Sequence, residues 1–364
     1  MDVKSINLAN ILLVAINPRV IYTQVGVYRL GKAIFLKRIA HKEEDLASFK
    51  NIIDQTKYRS DLILAALADN EIAFDEIKLV MGRGGLIHPV EPGIYQVNEK
   101  MKQDLIGSKL GEDIINLGGL IADDIASRLP DAKAYIANPV VVDEFCDLAR
   151  VSGHPLIKKK SIYHALNQKY VARKHAQTVG KKYEDMKLIV ANLGRAITVG
   201  VHYHGRVIDA TQGFDGDGPF SPITSGSLPV GDLIRLCYSG EYTESEMLKI
   251  VRGEGGLFAY IGTSSGYEAD KRIQNGDEEA RFYFEAMAYQ ISKHIGSMCM
   301  TLTEKVDAVL ITGAMANSKN LVDMIVKRIS KIGDIHIYPG DDDLDALAWN
   351  GTMMLKGELQ SKEY

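Results

Sequence analysis

The chain of 364 residues is 46% hydrophobic and 25% charged, so it can bury a sizeable core and is not an intrinsically disordered protein. At about 150 residues per domain, this length predicts roughly two domains. The 43 Lys and Arg against 47 Asp and Glu give a net charge of −4, and because no overall basic field exists, nucleic acid and anionic membranes are not expected partners.

The cysteines and the first residues of the chain predict a cytoplasmic protein. The 3 cysteines, Cys146, Cys237 and Cys299, form no CxxC pair, which argues against a disulfide framework and a cysteine-rich zinc site. The partly apolar stretch 6–16 contains asparagines and is followed by no small-residue cleavage site, so we interpret it as a first strand rather than a signal peptide. No apolar run approaches the roughly 20 residues that a transmembrane helix needs.

Short β-branched runs alternate with longer helical patterns along the chain, which predicts an α/β architecture. The predicted strands are residues 11–16, 20–28, 77–81, 188–191, 197–202 and 308–312. A long helix is predicted over residues 278–305, where apolar side chains at spacings of three and four form one face, and we interpret it as a core helix.

Two segments of the chain share one pattern. Residues 12–19 lead into Val25-Gly26-Val27 and Gly31-Lys32, and residues 188–195 lead into Val199-Gly200-Val201 and Gly205-Arg206. Each segment reads as a strand, an asparagine-containing turn, a strand and a glycine turn. The repeat predicts two related halves, each opening with a β-hairpin, with the ligand in a cleft between them.

Two turns that follow predicted strands are candidate anion sites. Arg83-Gly84-Gly85-Leu86 follows the strand at 77–81, at the carboxyl end where open α/β sheets bind ligands, and the arginine fork suits a carboxylate or phosphate. A surface salt bridge is the alternative. Gly313 follows the strand at 308–312 and would let a nucleotide lie against the next helix, with a plain tight turn as the alternative.

Acidic and histidine-containing segments supply further candidates. Asp215-Gly216-Asp217-Gly218 combines two carboxylates with glycines that allow the backbone to approach a phosphate or a metal, although such a turn is also typical of a surface loop. His164 lies in a helical, partly apolar context, which also fits a core histidine. The aspartates at 341–343 are interpreted as a solvated turn that complements the N-terminus of a helix at 344–355.

Together these segments resemble the butyrate kinases of the acetate kinase family, in the sugar-kinase, Hsp70 and actin superfold. The resemblance covers nearly the whole chain and is most specific at residues 83–86, 139–144, 149–155, 160–169, 205–209, 215–220 and 286–291. It implies an α/β fold of two duplicated actin-like ATPase (ribonuclease H-like) domains around a nucleotide cleft, usually in a homodimer. The expected domains are residues 1–140 with 346–364, where the C-terminal helix packs back, and residues 141–345, which carry the nucleotide side of the cleft.

The resemblance also implies a reaction and its ligands. The family interconverts a short-chain carboxylate and ATP with an acyl phosphate and ADP, using Mg²⁺. By its pattern Arg83 holds the carboxylate or the transferred phosphoryl group, and His164 stabilises that group. Asn17 and Asp217 are expected near phosphate and metal, and Gly313 beside the adenosine. The chain also keeps Asp209, Asp215, Gly216 and Gly218 of the family pattern.

Several positions depart from the family pattern. Where the family has Asn-Pro-Gly-Ser-x-Ser-x-Lys, the first hairpin keeps Asn17 and Pro18 but has Gln24 in place of the lysine. Asn138 replaces the aspartate that the family links to magnesium and the acyl acceptor. The remaining changes are Asn192-Leu193-Gly194-Arg195-Ala196 for His-x-Gly-Gly-Gly, Thr224 for an arginine, and Gly313-Ala314 for paired glycines.

These departures lead to two hypotheses. Losing one transition-state charge donor costs about 10²- to 10³-fold in rate, and here a lysine, an arginine, a histidine and an aspartate are replaced together. We therefore expect either a butyrate-kinase-type enzyme with impaired activity or a catalytically inactive paralogue that acts as a binding or interaction module. Arg19 and Arg195, at equivalent places in the two hairpins, either rebuild an anion site or pair with Asp215 or Asp217.

Overall fold

A computed structural model describes residues 8–364, which form two compact α/β units. Unit 1 comprises Met1–Val142 and Asp342–Tyr364, and unit 2 comprises Asp143–Asp341. Residues 1–7 lie outside the described residues. They include the start of the first expected domain and the first two residues of the stretch 6–16. The division into functional domains at 140 and 345 stays a prediction.

Each unit is built around one β-sheet with helices packed on it. The strands are β1 Leu12–Pro18, β2 Tyr22–Arg29, β3 Lys32–Ala40, β4 Ile77–Arg83, β5 Ile94–Gln96, β6 Lys133–Ala137, β7 Lys187–Leu193, β8 Ile197–Tyr203, β9 Arg206–Ala210, β10 Ala308–Gly313, β11 Asp334–Pro339 and β12 Ser361–Lys362. The helices are α1 Glu43–Ala47, α2 Thr56–Ala68, α3 Glu99–Gly107, α4 Leu117–Ser127, α5 Asp147–Arg150, α6 Ala165–Thr178, α7 Val230–Cys237, α8 Glu244–Val251, α9 Gly256–Ile261, α10 Gly266–Gln274, α11 Glu278–Cys299, α12 Lys319–Ile329 and α13 Asp343–Leu355.

The two sheets repeat one strand order, which confirms the duplication that the hairpin pattern predicts. The sheet of unit 1 runs β3-β2-β1-β4-β6-β5-β12, and the sheet of unit 2 runs β9-β8-β7-β10-β11. In each unit the first strand pairs antiparallel with the second and parallel with the fourth strand of that unit. The first strand is therefore central in each sheet, and β1 is buried over its whole length.

The glycine turns of the repeat have one conformation in both units. Leu30 and Gly31 have φ values of 51° and 78°, and His204 and Gly205 have 48° and 80°. Two consecutive left-handed residues form the two-residue turn that matches the twist of a β-hairpin, and the second position favours glycine. The shared glycine therefore marks the same hairpin connection in both halves.

The helices pack on the sheets in two ways, by close approach at glycines and by burial of an apolar helix face. In unit 1, α4 approaches β4 at Gly82, where an added Cβ would lie 2.1 Å from the Gly118 carbonyl oxygen. In unit 2, the buried face of α11 includes Phe284, Met287 and Ile291, which confirms its prediction as a core helix. This helix ends at Cys299, before the predicted residue 305. None of the helices within residues 8–364 is long and apolar enough to cross a bilayer.

Candidate functional site

In unit 1, the carboxyl ends of β1 and β4 bring together three residues that the sequence predicts for the site. Parallel strands end at the same edge of a sheet, so Asn17 on β1 and Arg83 on β4 become neighbours. The Arg83 Nη1 donates a hydrogen bond of 3.3 Å to the Asn17 Oδ1. The Asn17 Nδ2 in turn donates to the Gln24 Oε1 at 2.8 Å, across the β1-β2 pair.

Asp343, in the first turn of α13, lies in the middle of this group. Its Oδ2 is 2.9 Å from the Arg83 Nη1, 3.3 Å from the Arg19 Nη2 and 3.3 Å from the Asn17 Nδ2. The Asp343 side chain is only 5% exposed, so the prediction of a solvated turn is wrong for this residue. Two guanidinium groups and the N-terminus of α13 supply the positive potential that a buried carboxylate needs.

The first hairpin turn is held by a residue that sequence reasoning missed. Arg59 on α2 is fully buried, and it donates to the backbone carbonyls of Arg19 at 2.8 Å and Val20 at 2.9 Å and to the Thr23 Oγ1 at 3.0 Å. Its Nε and Nη2 also donate to the Gln55 Oε1. The first hairpin turn is therefore a fixed part of unit 1.

Asn138 has a structural role within unit 1. It lies just after β6 with a φ of 40°, a left-handed conformation that asparagine tolerates better than most residues. Its backbone N–H donates to the Gly93 carbonyl at 2.9 Å, and its Oδ1 accepts from the Gly93 N–H at 3.0 Å. The Asn138 side chain therefore holds the loop before β5.

The Asp343 carboxylate is a poor ligand for a divalent cation held by unit 1. Mg²⁺ prefers carboxylate oxygens together with water and substrate phosphates. Asp343 is the carboxylate beside Asn17 and Arg83, and it is already compensated by Arg19 and Arg83. This carboxylate therefore has little negative charge left to hold a metal ion.

In unit 2, His164 lies at the N-cap of α6 and faces bare backbone. Its Nδ1 is 2.8 Å from the Thr198 Oγ1 on β8. A Cβ added to Gly194 would lie 3.6 Å from the His164 Nε2, and one added to Gly213 would lie 3.9 Å from its Cε1. A side chain at either position would contact the imidazole ring, so the two glycines leave that space open.

The second hairpin turn is ordered by side chains from neighbouring segments. The Asn192 Nδ2 donates to the Asn167 Oδ1 at 2.7 Å, and both residues are buried. The Ser221 hydroxyl donates to the backbone carbonyl of Arg195 and also bonds the hydroxyl of Thr224, which is buried. The exposed side chain of Arg195 projects from this turn.

The acidic turn of unit 2 is held by hydrogen bonds between its backbone N–H groups and its side-chain oxygens. The Asp217 Oδ2 accepts from the Gln212 N–H at 3.1 Å, and the Asp215 N–H donates to the Gln212 Oε1 at 2.6 Å. Gly216 and Gly218 have φ values of 83° and 89°, which explains the two glycines. Burial lowers the pKa of His294, while the nearby Asp217 carboxylate acts to raise it. Asp215 is exposed and Asp217 is half-buried.

The remaining predicted residues have packing or pairing roles within unit 2. Gly313 ends β10 with a φ of 96°, and an added Cβ would lie 2.6 Å from the Leu193 backbone, so only glycine fits. The Asp209 Oδ1 accepts from the Lys159 Nζ at 2.6 Å.

The groups that contact the predicted residues were the ones that the sequence did not reveal. Gln168 lies four residues after His164 on one side of α6, a spacing that a helical pattern could have indicated. Strand register and the path of the chain bring four further residues to these positions, and the local sequence carries no signal for either. These residues are Thr198, Gly213, Arg59 and Asp343.

Known proteins resemble this chain over most of its length. The model of the Acetokinase family matches residues 154–344. Butyrate kinase 2 of Clostridium acetobutylicum and the probable butyrate kinase of Bacteroides thetaiotaomicron are each 44% identical over 352 residues, covering 97% of this chain and 99% of each relative.

Solved structures share the fold at low sequence identity. Acetate kinase from Porphyromonas gingivalis aligns with a TM-score of 0.74 at 13% identity, covering 95% of this chain and 100% of that one. A propionate kinase from Francisella tularensis aligns with a TM-score of 0.75 at 14% identity, covering 93% and 98%. The relatives at 44% identity and the matching family model establish that the chain belongs to the acetokinase family.

Proposed function

We propose that this protein is a butyrate-kinase-type phosphotransferase that converts butanoate and ATP to butanoyl phosphate and ADP at a reduced rate. The observation that carries this proposal is the imidazole of His164, held by Thr198 beside the bare backbone of Gly194 and Gly213. The proposal is also supported by relatives of 44% identity that are named butyrate kinases.

The proposed roles follow from the chemistry of each group. Phosphoryl transfer requires groups that position charge and little covalent chemistry from the protein. Arg83 would bind the carboxylate or the transferred phosphoryl, because its guanidinium can donate two parallel hydrogen bonds. His164 would donate a hydrogen bond to the transferred group. Mg²⁺ would enter bound to the nucleotide. In unit 2, Asp217 would bind near phosphate and Gly313 near the adenosine. In unit 1, Asn17 would bind near phosphate.

Three residues support a reduced rate. Gln24 and Asn138 are neutral where the family has a lysine and an aspartate, and the Asn138 amide is committed to Gly93. Arg83 is 2.9 Å from Asp343, so an incoming anion competes with an internal carboxylate. Loss of one charge donor typically costs about 10²- to 10³-fold, so two neutral replacements alone would leave a slow enzyme.

A noncatalytic binding or interaction module is the second candidate. The specific observation in its favour is that Asp343 compensates both Arg83 and Arg19. An anion site rebuilt by Arg19 and Arg195, a homodimer and a cytoplasmic location stay proposals. Calorimetry with ATP and butanoyl phosphate tests anion binding, and light scattering after size-exclusion chromatography tests the dimer.

An acyl-hydroxamate assay with butyrate, ATP and magnesium distinguishes the two candidates. We expect slow turnover by the unmodified protein, none by His164→Ala, and at least about 10-fold faster turnover by the double variant Gln24→Lys, Asn138→Asp. Turnover by the double variant alone would support the noncatalytic module. Equal rates in the unmodified protein and His164→Ala would contradict the proposed enzymatic function.

A further inference from the structure

Behind His164, a continuous line of hydrogen bonds runs into the interior of unit 2. The Thr198 Oγ1 is 2.8 Å from the His164 Nδ1 and 2.9 Å from the Gln168 Nε2. The Gln168 Oε1 is 3.1 Å from the His202 Nε2, and the His202 Nδ1 is 2.8 Å from the Tyr183 hydroxyl. We call Thr198, Gln168, His202 and Tyr183 the His164 relay.

The direction of every bond in the relay is set by one backbone carbonyl. The Gln168 amide also lies 3.3 Å from the Thr198 carbonyl oxygen, which can only accept a hydrogen bond. The Gln168 atom on that side must therefore be the nitrogen. Its Oε1 then faces His202, so the His202 Nε2 must carry a hydrogen.

The inner end of the relay fits the same direction. His202 is fully buried, and burial, followed by the charge of Lys169, holds its pKa well below the usual range, so it is neutral. A neutral imidazole protonated at Nε2 has a bare Nδ1, which accepts from the Tyr183 hydroxyl. Burial also raises the pKa of Tyr183, so that hydroxyl keeps its hydrogen.

The outer end of the relay determines the state of His164. The Thr198 Oγ1 accepts from Gln168, so its own hydrogen needs an acceptor. Among the described residues, the acceptor within reach of that hydroxyl is the His164 Nδ1. We infer that the relay fixes neutral His164 as the tautomer with its hydrogen on Nε2, and thereby makes Thr198 and Gln168 positioning residues.

This tautomer presents a hydrogen-bond donor next to Gly194, the bare-backbone position nearest the His164 Nε2. A fixed N–H can stabilise an oxygen on which negative charge develops, and it needs no reorganisation during the reaction. This consequence rests on the proposed function. The tautomer itself follows from the hydrogen bonds of unit 2.

The repeat motif provides the space for the relay. A Cβ added to Gly200 on β8 would lie 2.3 Å from the Gln168 Oε1. A side chain at this position would therefore displace the amide that connects Thr198 to His202. The glycine of the second Val-Gly-Val segment thus has a defined packing role in the site.

Nitrogen NMR of the full-length protein tests the inference directly. In two-bond ¹⁵N–¹H spectra recorded at about pH 8, where an ordinary histidine is neutral, protonated and bare ring nitrogens have widely separated shifts. The His164 signals are assigned by their loss in His164→Ala. We expect a protonated Nε2 and a bare Nδ1 in the unmodified protein.

A matched pair of variants tests the relay. Thr198→Ser keeps the hydroxyl and should keep the tautomer, whereas Thr198→Val keeps the shape, removes the hydroxyl and should give a mixture of tautomers. Gly200→Ala, which displaces Gln168 without touching Thr198, should also give a mixture. A protonated Nδ1 in the unmodified protein, or an unchanged tautomer in both Thr198→Val and Gly200→Ala, would overturn the inference.

Activity separates failure of the inference from failure of the proposed function. If the unmodified protein turns over butyrate, we expect Thr198→Val to lower kcat by about 10- to 100-fold, the loss typical when the hydrogen-bond partner of a metal-bound imidazole is removed. Thr198→Ser should restore kcat. The predicted tautomer without any turnover would reject the proposed function and leave the inference standing. Turnover together with the opposite tautomer would overturn the inference and leave the proposed function standing.

Discussion

At the scale of single residues, the charged groups at the strand ends of unit 1 are compensated within that unit. Asp343 bridges Arg19 and Arg83, and the Arg59 guanidinium is surrounded by oxygens of the first hairpin turn and Gln55. Buried charges persist only when they are paired and hydrogen-bonded, because their desolvation costs several kcal/mol. The same pairing that stabilises unit 1 therefore opposes binding of an external anion at Arg83.

Removing the bridging carboxylate should destabilise the fold. We expect Asp343→Asn to lower the free energy of unfolding by about 3 kcal/mol, because it leaves the buried Arg83 without its counter-charge. The matched control is Asp345→Asn on the same helix, where an exposed carboxylate accepts from the Tyr28 hydroxyl and the loss should stay below about 1 kcal/mol. Urea unfolding measures both variants, and equal losses would contradict this role for Asp343.

At the scale of elements, glycines decide where strands and turns approach each other. Gly313 combines a left-handed backbone with a close approach to the Leu193 backbone, so it joins the end of β10 to the end of β7. Gly31 and Gly205 provide the positive φ values of the two hairpin turns. A glycine in the sequence indicates a turn, and its neighbours in the fold show whether a side chain is also excluded.

Two alanine substitutions separate these effects. Gly313→Ala should lower the free energy of unfolding by more than about 2 kcal/mol, because strain and overlap with Leu193 act together. Gly276→Ala, at a φ of 87° with no atom within 4 Å of the added Cβ, should cost only about 1 kcal/mol. Thermal or urea unfolding measures both, and a larger loss in Gly276→Ala would contradict the argument.

At the scale of the whole molecule, each of the two units buries a histidine that its fold keeps neutral. Burial, followed by the charge of Arg59, lowers the pKa of His41 to about 4. Burial, followed by the charge of Lys169, also holds the pKa of His202 well below its usual range. Below the usual histidine pKa of about 6.5 the unfolded chain binds protons that the folded units do not, so acid favours unfolding.

Stability should therefore fall as the pH is lowered from about 6.5 towards 4. The lowered pKa of His41 alone accounts for about 3 kcal/mol over this range, since each unit of pKa corresponds to about 1.4 kcal/mol. His41→Asn should show a shallower decline than the unmodified protein in urea unfolding curves recorded across this range. Identical slopes in the two proteins would contradict the assignment to His41.

The sequence by itself determined the α/β class, the positions of the main strands, the duplicated hairpin and the family. These features are written in local periodicity, in turn glycines and in short motifs, all of which are properties of neighbouring residues. It also identified Arg83, His164 and Asn138 as residues of interest.

Only the tertiary structure decided what those residues contact. Asp343 reaches Arg83 across most of the chain, and Thr198 reaches His164 through the register of β8. Asn138 holds Gly93, and Gln168 enters the space beside Gly200. The physical reason is that charge compensation and hydrogen-bond direction depend on distances between segments remote in sequence, and sheet pairing sets those distances.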